Sequence, residues 1–202
     1  MATAKDYRWF DKKFESLAVA YCFSYLRGIP ADEALTRFGV RSRRRTLSLD
    51  DLEERALEVA DGSDWAFTYL GALELDGWTL LVEPNGFLGV SEVGEEASRG
   101  TEMIAHFVNV NAVSRFVWIQ DGDVRVVFEM MFPQDREGSE PDALVDLMRA
   151  AGFDPNRSDD DETPDDLCFE AGFALAANLT GVELTAKLLR KSLFLCGRAP
   201  VR

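Results

Sequence analysis

Residues 65–132 read WAFTYLGALELDGWTLLVEPNGFLGVSEVGEEASRGTEMIAHFVNVNAVSRFVWIQDGDVRVVFEMMF, a series of strand-length apolar runs divided by turn signals. Large and small residues alternate from Trp65, and Asp76-Gly77 is a two-residue hairpin signal before the run that starts at Trp78. Three more runs follow at about 103–109, 114–120 and 124–131. Five consecutive strands with tight turns predict an antiparallel sheet.

Helical spacing predicts helices on both sides of this stretch. Apolar residues recur every three or four positions over 6–27, which predicts one long helix ended by Gly28. Pro30 opens a second helix over 31–38, and Ser48 caps a third. After Pro133 the pattern returns to helices, the last of which starts at Thr185 and bears residues 188, 189 and 193. The predicted fold is α+β: a five-stranded antiparallel sheet flanked by an N-terminal three-helix segment and C-terminal helices.

The pattern predicts a single α+β domain over 1–202. Its parts are a helical segment at 1–62, the sheet at 63–133, and C-terminal helices at 134–202 that contain an acidic loop at 154–166. Four consecutive acidic residues at 159–162 repel one another and stay solvated. They lack the alternate spacing and central glycine of a calcium loop, so no metal site is predicted.

Composition restricts the partners and the compartment. The chain has 202 residues, 47% of them hydrophobic, and a net charge of −14. This charge repels nucleic acid and anionic membranes and favours a basic partner. The first eight residues hold no apolar leader, and no run approaches the roughly 18 apolar residues of a membrane span. Three distant cysteines predict buried, reduced thiols, and the location is predicted to be cytoplasmic.

Catalytic signals are scarce. The single histidine, His106, lies inside a predicted strand, where a structural role is favoured over catalysis. This position argues against a Ser-His-Asp triad and a histidine zinc site. The sequence contains neither the phosphate-binding loop Gly-x-x-x-x-Gly-Lys-Ser/Thr nor the dinucleotide-binding motif Gly-x-Gly-x-x-Gly. No catalytic residue and no cofactor is therefore predicted.

A polar sequence, Asn109-Val110-Asn111-Ala112-Val113-Ser114-Arg115, separates two apolar strands. Burying such side chains unpaired costs roughly 1–3 kcal/mol each, so they bond either to the protein's own backbone, as hairpin caps, or to a ligand. Glu83 and Glu129 interrupt other strands and converge with Arg115 in one of two ways: as a carboxylate pair for acid–base work, or as an Arg–Glu cross-strand pair, which is favoured. The candidate ligand- or partner-binding residues are Glu83, Asn85, Asn109, Asn111, Arg115 and Glu129.

A basic cluster, Arg41, Arg43, Arg44 and Arg45, lies between the second and third helices. Contact with nucleic acid is one interpretation. The favoured interpretation is a solvated or intramolecular role, because arginines near a helix C-terminus stabilise its negative end and no aromatic residues are interleaved with them.

The chain also resembles a known family. The segments WTLLVEPNGF (78–87), SRGT (98–101), NVNAVSRFVW (109–118) and FEMMFP (128–133) are similar to an uncharacterised actinobacterial family of unknown function. The similarity extends over nearly the whole chain. It implies an actinobacterial source but no activity, substrate or catalytic residue.

Two functional hypotheses follow. The first is a non-catalytic, soluble protein-binding module of unknown partner, immunity-like or regulatory, whose partner is basic. The alternative is an enzyme or small-ligand-binding protein with a polar site on the sheet formed by Glu83, Asn109, Arg115 and Glu129.

Overall fold

The computed structural model describes residues 1–42, 44–158 and 167–201. Within these residues the chain forms nine β-strands, eight α-helices and two single-turn 3-10 helices, at Ala4–Tyr7 and Leu88–Val90. The strands are β1 (Tyr21–Arg27), β2 (Arg45–Leu47), β3 (Phe67–Leu75), β4 (Trp78–Pro84), β5 (Glu102–Val108), β6 (Ser114–Gln120), β7 (Asp123–Glu129), β8 (Phe132–Glu137) and β9 (Phe194–Pro200). The helices are α1 (Trp9–Lys13), α2 (Glu15–Val19), α3 (Ala31–Arg37), α4 (Leu49–Gly62), α5 (Glu92–Ala97), α6 (Val145–Ala151), α7 (Cys168–Thr180) and α8 (Ala186–Lys191).

These strands form one antiparallel sheet in the order β2-β9-β3-β4-β1-β5-β6-β7-β8. The α+β class is confirmed, but the predicted five-stranded sheet is wrong because the described sheet has nine strands. Strands β3 to β7 match the predicted ones. Strands β1, β2, β8 and β9 lie where the sequence predicts helices or connections.

The largest difference lies at 6–27, where one long helix is predicted. Two short helices, α1 and α2, occupy its first part, and the central strand β1 occupies the rest, so the N-terminal segment is not simply three helices. Successive side chains of β1 point to opposite faces of the sheet, and residues 21–26 are all buried. A strand buried on both faces lacks a period of two, and the spacing of Tyr21 and Tyr25 imitates a helical turn.

The other missed strands lie at or near the edges of the sheet. β8 contains Pro133 and three charged residues, features that natural edge strands tolerate and that hide the strand pattern. The last helix, α8, ends at Lys191, and β9 follows in place of its predicted continuation through Leu193. β9 pairs with both β2 and β3.

Local capping signals are confirmed. The Ser48 hydroxyl accepts the backbone N–H of Asp51 at 3.2 Å, so α4 begins where predicted. Asp76 and Gly77 have φ angles of 43° and 84°, as the tight hairpin between β3 and β4 requires.

The two faces of the sheet are covered unequally. The aromatic face, which carries Tyr21, Phe23 and Tyr25, packs in one core with residues of α1, α2, α4, α6, α7 and α8. The groove face, which carries Cys22 and Leu26, packs against α3, α5 and the Leu88–Val90 turn. These elements leave a groove open over β6, β7 and β8.

Two predicted features lie partly outside the residues that the structure describes. The acidic loop predicted at 154–166 includes residues 159–166, and the arginine cluster includes Arg43; neither 159–166 nor Arg43 is among the described residues. Within the described ranges, no helix has the length and apolar character needed to cross a bilayer.

A candidate binding surface at one end of the sheet

The six predicted site residues all lie at one end of the sheet, which we call the Asn85 end. The antiparallel register brings the end of β4 and the end of β5 beside the start of β1, since Tyr21 pairs with both Pro84 and Val108. Val108 in turn pairs with Ser114 at the start of β6. From the sequence, a convergence is considered for Glu83, Glu129 and Arg115 only, and the roles of the six residues differ.

Glu83 anchors the loop that follows β4. Its side chain is fully buried, and its two carboxylate oxygens accept the backbone N–H groups of Leu88 and Gly89, each at 2.9 Å. Burial raises the pKa of Glu83 to about 7, although the two N–H bonds act to lower it. A Cβ on Gly86 would lie only 2.7 Å from the Glu83 Cβ, so the tight approach of the loop depends on glycine. Glu83 does not line the groove.

The asparagines shape two turns. Asn85 adopts a φ of 55° and its N–H bonds to the Ala20 carbonyl at 2.9 Å. The Asn109 side-chain oxygen accepts the N–H groups of Asn111 at 2.9 Å and Val113 at 3.0 Å, which caps the β5–β6 connection. The hairpin-capping interpretation is thus confirmed for Asn109. Asn111 is exposed.

Arg115 and Glu129 face the groove. Arg115 donates to the Val90 carbonyl at 3.3 Å. Among the ion pairs of the described residues, none joins Arg115 to Glu83 or Glu129, so the favoured Arg–Glu cross-strand pair is wrong. Two of the six candidates are therefore directed into an open site.

The groove has a volume of about 540 Å³ and an apolar floor. Its walls carry four carboxylates, on Glu95 of α5, Glu129 of β7, and Asp135 and Glu137 of β8, and one basic side chain, that of Arg115. No ion pair or side-chain hydrogen bond engages these four carboxylates within the described part of the chain. We call this site the acidic groove. The apolar lining residues are Phe87, Val90, Phe107, Val113, Val117, Ile119, Val124, Val127 and Phe128.

The four carboxylates do not form a metal site. In the described ranges, no three histidine, cysteine, aspartate or glutamate side chains are arranged to hold one ion. The charges of the groove are therefore distributed along its walls.

An exposed apolar rim continues from the groove around the Asn85 end. Pro84 and Asn85 line two hollows, of about 110 Å³ and 300 Å³, and Phe87 lines both the smaller hollow and the acidic groove. The described residues include nine exposed large hydrophobic side chains, of which six lie here. This apolar rim consists of Val19, Leu57, Trp65, Phe87, Val110 and Val113.

Trp65 is the largest member of the apolar rim and is held in an unusual conformation. Its φ is 61° and that of Asp64 is 50°, both in the left-handed region that residues other than glycine rarely adopt. The Trp65 N–H bonds to the Ala60 carbonyl at 2.9 Å, which fixes this turn after α4. Trp65 as a whole is 50% exposed. Sequence reasoning places Trp65 in a strand and misses this role.

Two of the three described arginines of the cluster, Arg41 and Arg44, make contacts within the protein. Arg44 forms an ion pair with Asp32 at 2.8 Å, and Arg41 donates to the Thr36 carbonyl at 2.9 Å. Both contacts are to α3, and Thr36 lies in its last turn, where the carbonyls lack helical partners. The intramolecular interpretation is confirmed for these two residues.

A family model matches the whole chain. The family is described as a family of unknown function, DUF6461, and the match covers residues 1–202. The chain belongs to DUF6461. This confirms the predicted membership of a family of unknown function. The DUF6461 chain has no significant match among curated proteins or among solved structures.

His106 of this DUF6461 protein lies on the opposite, aromatic face. It is fully buried between Phe23 and Phe173, whose ring centroids lie 5.6 Å and 4.3 Å from its own. Neither ring nitrogen has a hydrogen-bond partner among the described residues. Burial lowers the pKa of His106 to about 3. The predicted structural position is confirmed, and His106 takes no part in the candidate surface.

Proposed function

We propose that this DUF6461 protein is a non-catalytic binding module that docks a basic partner protein on its Asn85 end. The observation that carries the proposal is the apolar rim, which is continuous with the acidic groove. Contiguous exposed apolar surface is a mark of interaction sites, because leaving it in water is unfavourable.

The chemistry of the rim supports a protein partner. Trp65 and Phe87 are aromatic, and such side chains supply most of the binding energy in many protein interfaces. The left-handed conformation of Asp64 and Trp65 supports the same proposal, since backbone strain tends to collect at functional sites.

The charge supports a basic partner. The net charge is −14, and four carboxylates of the adjoining groove have no partner within the described residues. A negative field accelerates encounter with a positive surface and disfavours acidic proteins.

The experiment is affinity capture of the native partner with matched surface variants. Wild-type protein, Trp65→Ala, Val110→Ser and Leu193→Ser are immobilised, exposed to a lysate of the native host, and compared by quantitative mass spectrometry. Val110 and Leu193 are 65% and 62% exposed, but Leu193 lies outside the rim, which makes it the matched control. We expect one basic protein that wild type and Leu193→Ser retain and that both rim variants lose, with binding then reproduced from purified components. Equal retention by all four proteins contradicts the proposal.

The alternative, an enzyme or small-ligand binder, has weaker support. Of its four residues, Arg115 and Glu129 line the groove, whereas the oxygens of Glu83 and Asn109 are occupied by backbone N–H groups. A small molecule that co-purifies with wild type in place of a protein, and is lost in Arg115→Ala, would favour this alternative.

Finer features of the proposal remain predictions. We propose a cytoplasmic location, which the burial of all three cysteines supports, since buried thiols are typical of reducing compartments. An actinobacterial origin, an immunity-like or regulatory role, and a single domain over 1–202 belong to the same proposal.

A further inference from the structure

We infer that the acidic groove binds an extended segment of a partner chain in which lysine or arginine side chains alternate with apolar ones. This inference rests on the proposed function, because it names the part of the basic partner that enters the groove. It is argued from the apolar floor, the spacing of the carboxylates and the lack of a metal arrangement.

The apolar floor requires apolar groups on the ligand. Val124 and Val127 are half-buried on the floor of the groove, on the part of the groove face that α3 and α5 leave open, whereas Val117 and Ile119, which also line it, are buried. A ligand that carries only charges leaves the exposed parts of Phe87 and Val113, and of the half-buried valines, in contact with water. A chain that places apolar side chains on this apolar surface gains roughly 25 cal/mol for each Å² removed from water.

The carboxylates match the repeat of an extended chain. Asp135 and Glu137 are two residues apart on β8 and both line the groove. Alternate residues of a strand lie about 7 Å apart and point to one side, and the residues between them point to the other side. An extended partner lying along the groove therefore has the same repeat when it turns its cationic side chains toward β8 and the intervening apolar ones toward the floor formed by β6 and β7. Glu129 and Glu95 add charges on β7 and on α5.

The distribution of charge argues against a single cation as ligand. The described residues offer no three ligands for one metal ion, so the negative charge is spread over separate walls. Several cationic groups on one flexible chain can each pair with a different carboxylate of the groove. Each exposed carboxylate stays hydrated until it is paired.

The test uses synthetic peptides and purified full-length protein. The probe is a capped, fluorescently labelled peptide with the sequence KVKVKVK, and the comparison peptides are KSKSKSK, which lacks apolar side chains, and EVEVEVE, which reverses the charge. Binding is measured by fluorescence anisotropy at two salt concentrations. We expect KVKVKVK to bind most tightly, to weaken as salt rises, and to protect residues of β6 to β8 from hydrogen exchange.

Charge-neutral variants locate the site. The double variant Asp135→Asn/Glu137→Gln removes two groove carboxylates, and Glu54→Gln/Glu183→Gln removes two exposed carboxylates that do not line the groove. We expect the groove variant to bind KVKVKVK about fivefold more weakly and the control variant to stay within about twofold of wild type.

Three results overturn the inference: equal binding of KSKSKSK, unchanged binding by the groove variant, or tighter binding of spermine or calcium than of the peptide at the same groove. Its failure is distinguishable from failure of the proposed function. If a captured partner depends on Trp65 and Val110 but no peptide enters the groove, only this inference fails. If the peptide binds the groove but no partner depends on the rim, the docking proposal fails.

Discussion

The two faces of the sheet bury an ionisable side chain in opposite ways. On the aromatic face, helices cover the strands, and His106 is surrounded by rings with neither nitrogen hydrogen-bonded to a described residue. On the groove face, Glu83 is equally buried, but each of its oxygens accepts a backbone N–H. A neutral imidazole can be buried in an apolar core at moderate cost. A buried carboxylate needs hydrogen-bond donors, and for Glu83 the loop after β4 supplies them. The face that lacks full helical cover is also the face with the groove.

Removing the Glu83 carboxylate is expected to cause the largest change in stability. Glu83→Ala leaves the Leu88 and Gly89 N–H groups buried without an acceptor, and each unsatisfied group costs about 1–3 kcal/mol. We expect the free energy of unfolding in urea to fall by about 3 kcal/mol. The matched variant Glu129→Ala, whose carboxylate has no partner in the described residues, is expected to change it by less than about 1 kcal/mol. Similar losses in the two variants would contradict the anchoring role of Glu83.

Acid is expected to destabilise the protein through His106. The pKa is about 3 in the folded protein and 6.5 in the unfolded chain, so the unfolded state takes up the proton first as pH falls. The stability that His106 contributes is complete above pH 6.5 and is lost as pH falls toward 3. Between pH 7 and pH 5 we expect wild type to lose about 2 kcal/mol relative to His106→Leu, measured by urea unfolding at each pH. Parallel pH profiles for the two proteins would show that His106 is not buried in its neutral form.

Glu83 is expected to change the stability with pH in the direction opposite to His106, and it serves as the control. The pKa of Glu83 is raised from 4.5 to about 7 in the folded protein. The stability that Glu83 contributes is therefore complete below pH 4.5 and is lost as pH rises through 7. Relative to Glu83→Gln, wild type is therefore expected to become more stable as pH falls from 7 to 6, by about 1 kcal/mol. The two faces thus differ in the sign of their pH response.

The smallest effect is expected in the acidic groove. Asp135→Asn/Glu137→Gln removes no ion pair or hydrogen bond between described residues, so the free energy of unfolding should change by less than about 0.5 kcal/mol. Thermal and urea unfolding measure this directly. A loss of more than about 1 kcal/mol would mean that these carboxylates stabilise the fold and are not held available for a ligand.

The sequence predicts the parts of the fold in which one local signal dominates. Strands β3 to β7 follow from alternation and from turns such as Asp76-Gly77, and α3 and α4 follow from Pro30 and Ser48. β1 is missed because a strand with two buried faces has no alternation, and β8 is missed because a polar edge strand has no apolar side to reveal it.

The candidate site is predictable to a similar degree. Antiparallel strands with short turns bring Asn85, Asn109 and Arg115 to one end, which follows from a register that is not predicted from the sequence. Asp135 and Glu137 are missed because they depend on β8. The anchoring of Glu83 is invisible in the sequence, because its partners are backbone groups that no residue type marks.

The position of β1 in the middle of the sheet has a consequence for biosynthesis. β1 is translated before the other strands of this sheet, yet its neighbour β4 follows only after two helices and two further strands, and its neighbour β5 follows later still. The nascent chain therefore carries a segment with two apolar sides and no hydrogen-bonding neighbour for much of its synthesis. β2 waits longer still, because its sheet neighbour β9 is translated after the other strands of the described sheet. Such long-range pairing slows folding and leaves strand edges exposed to aggregation while the chain grows.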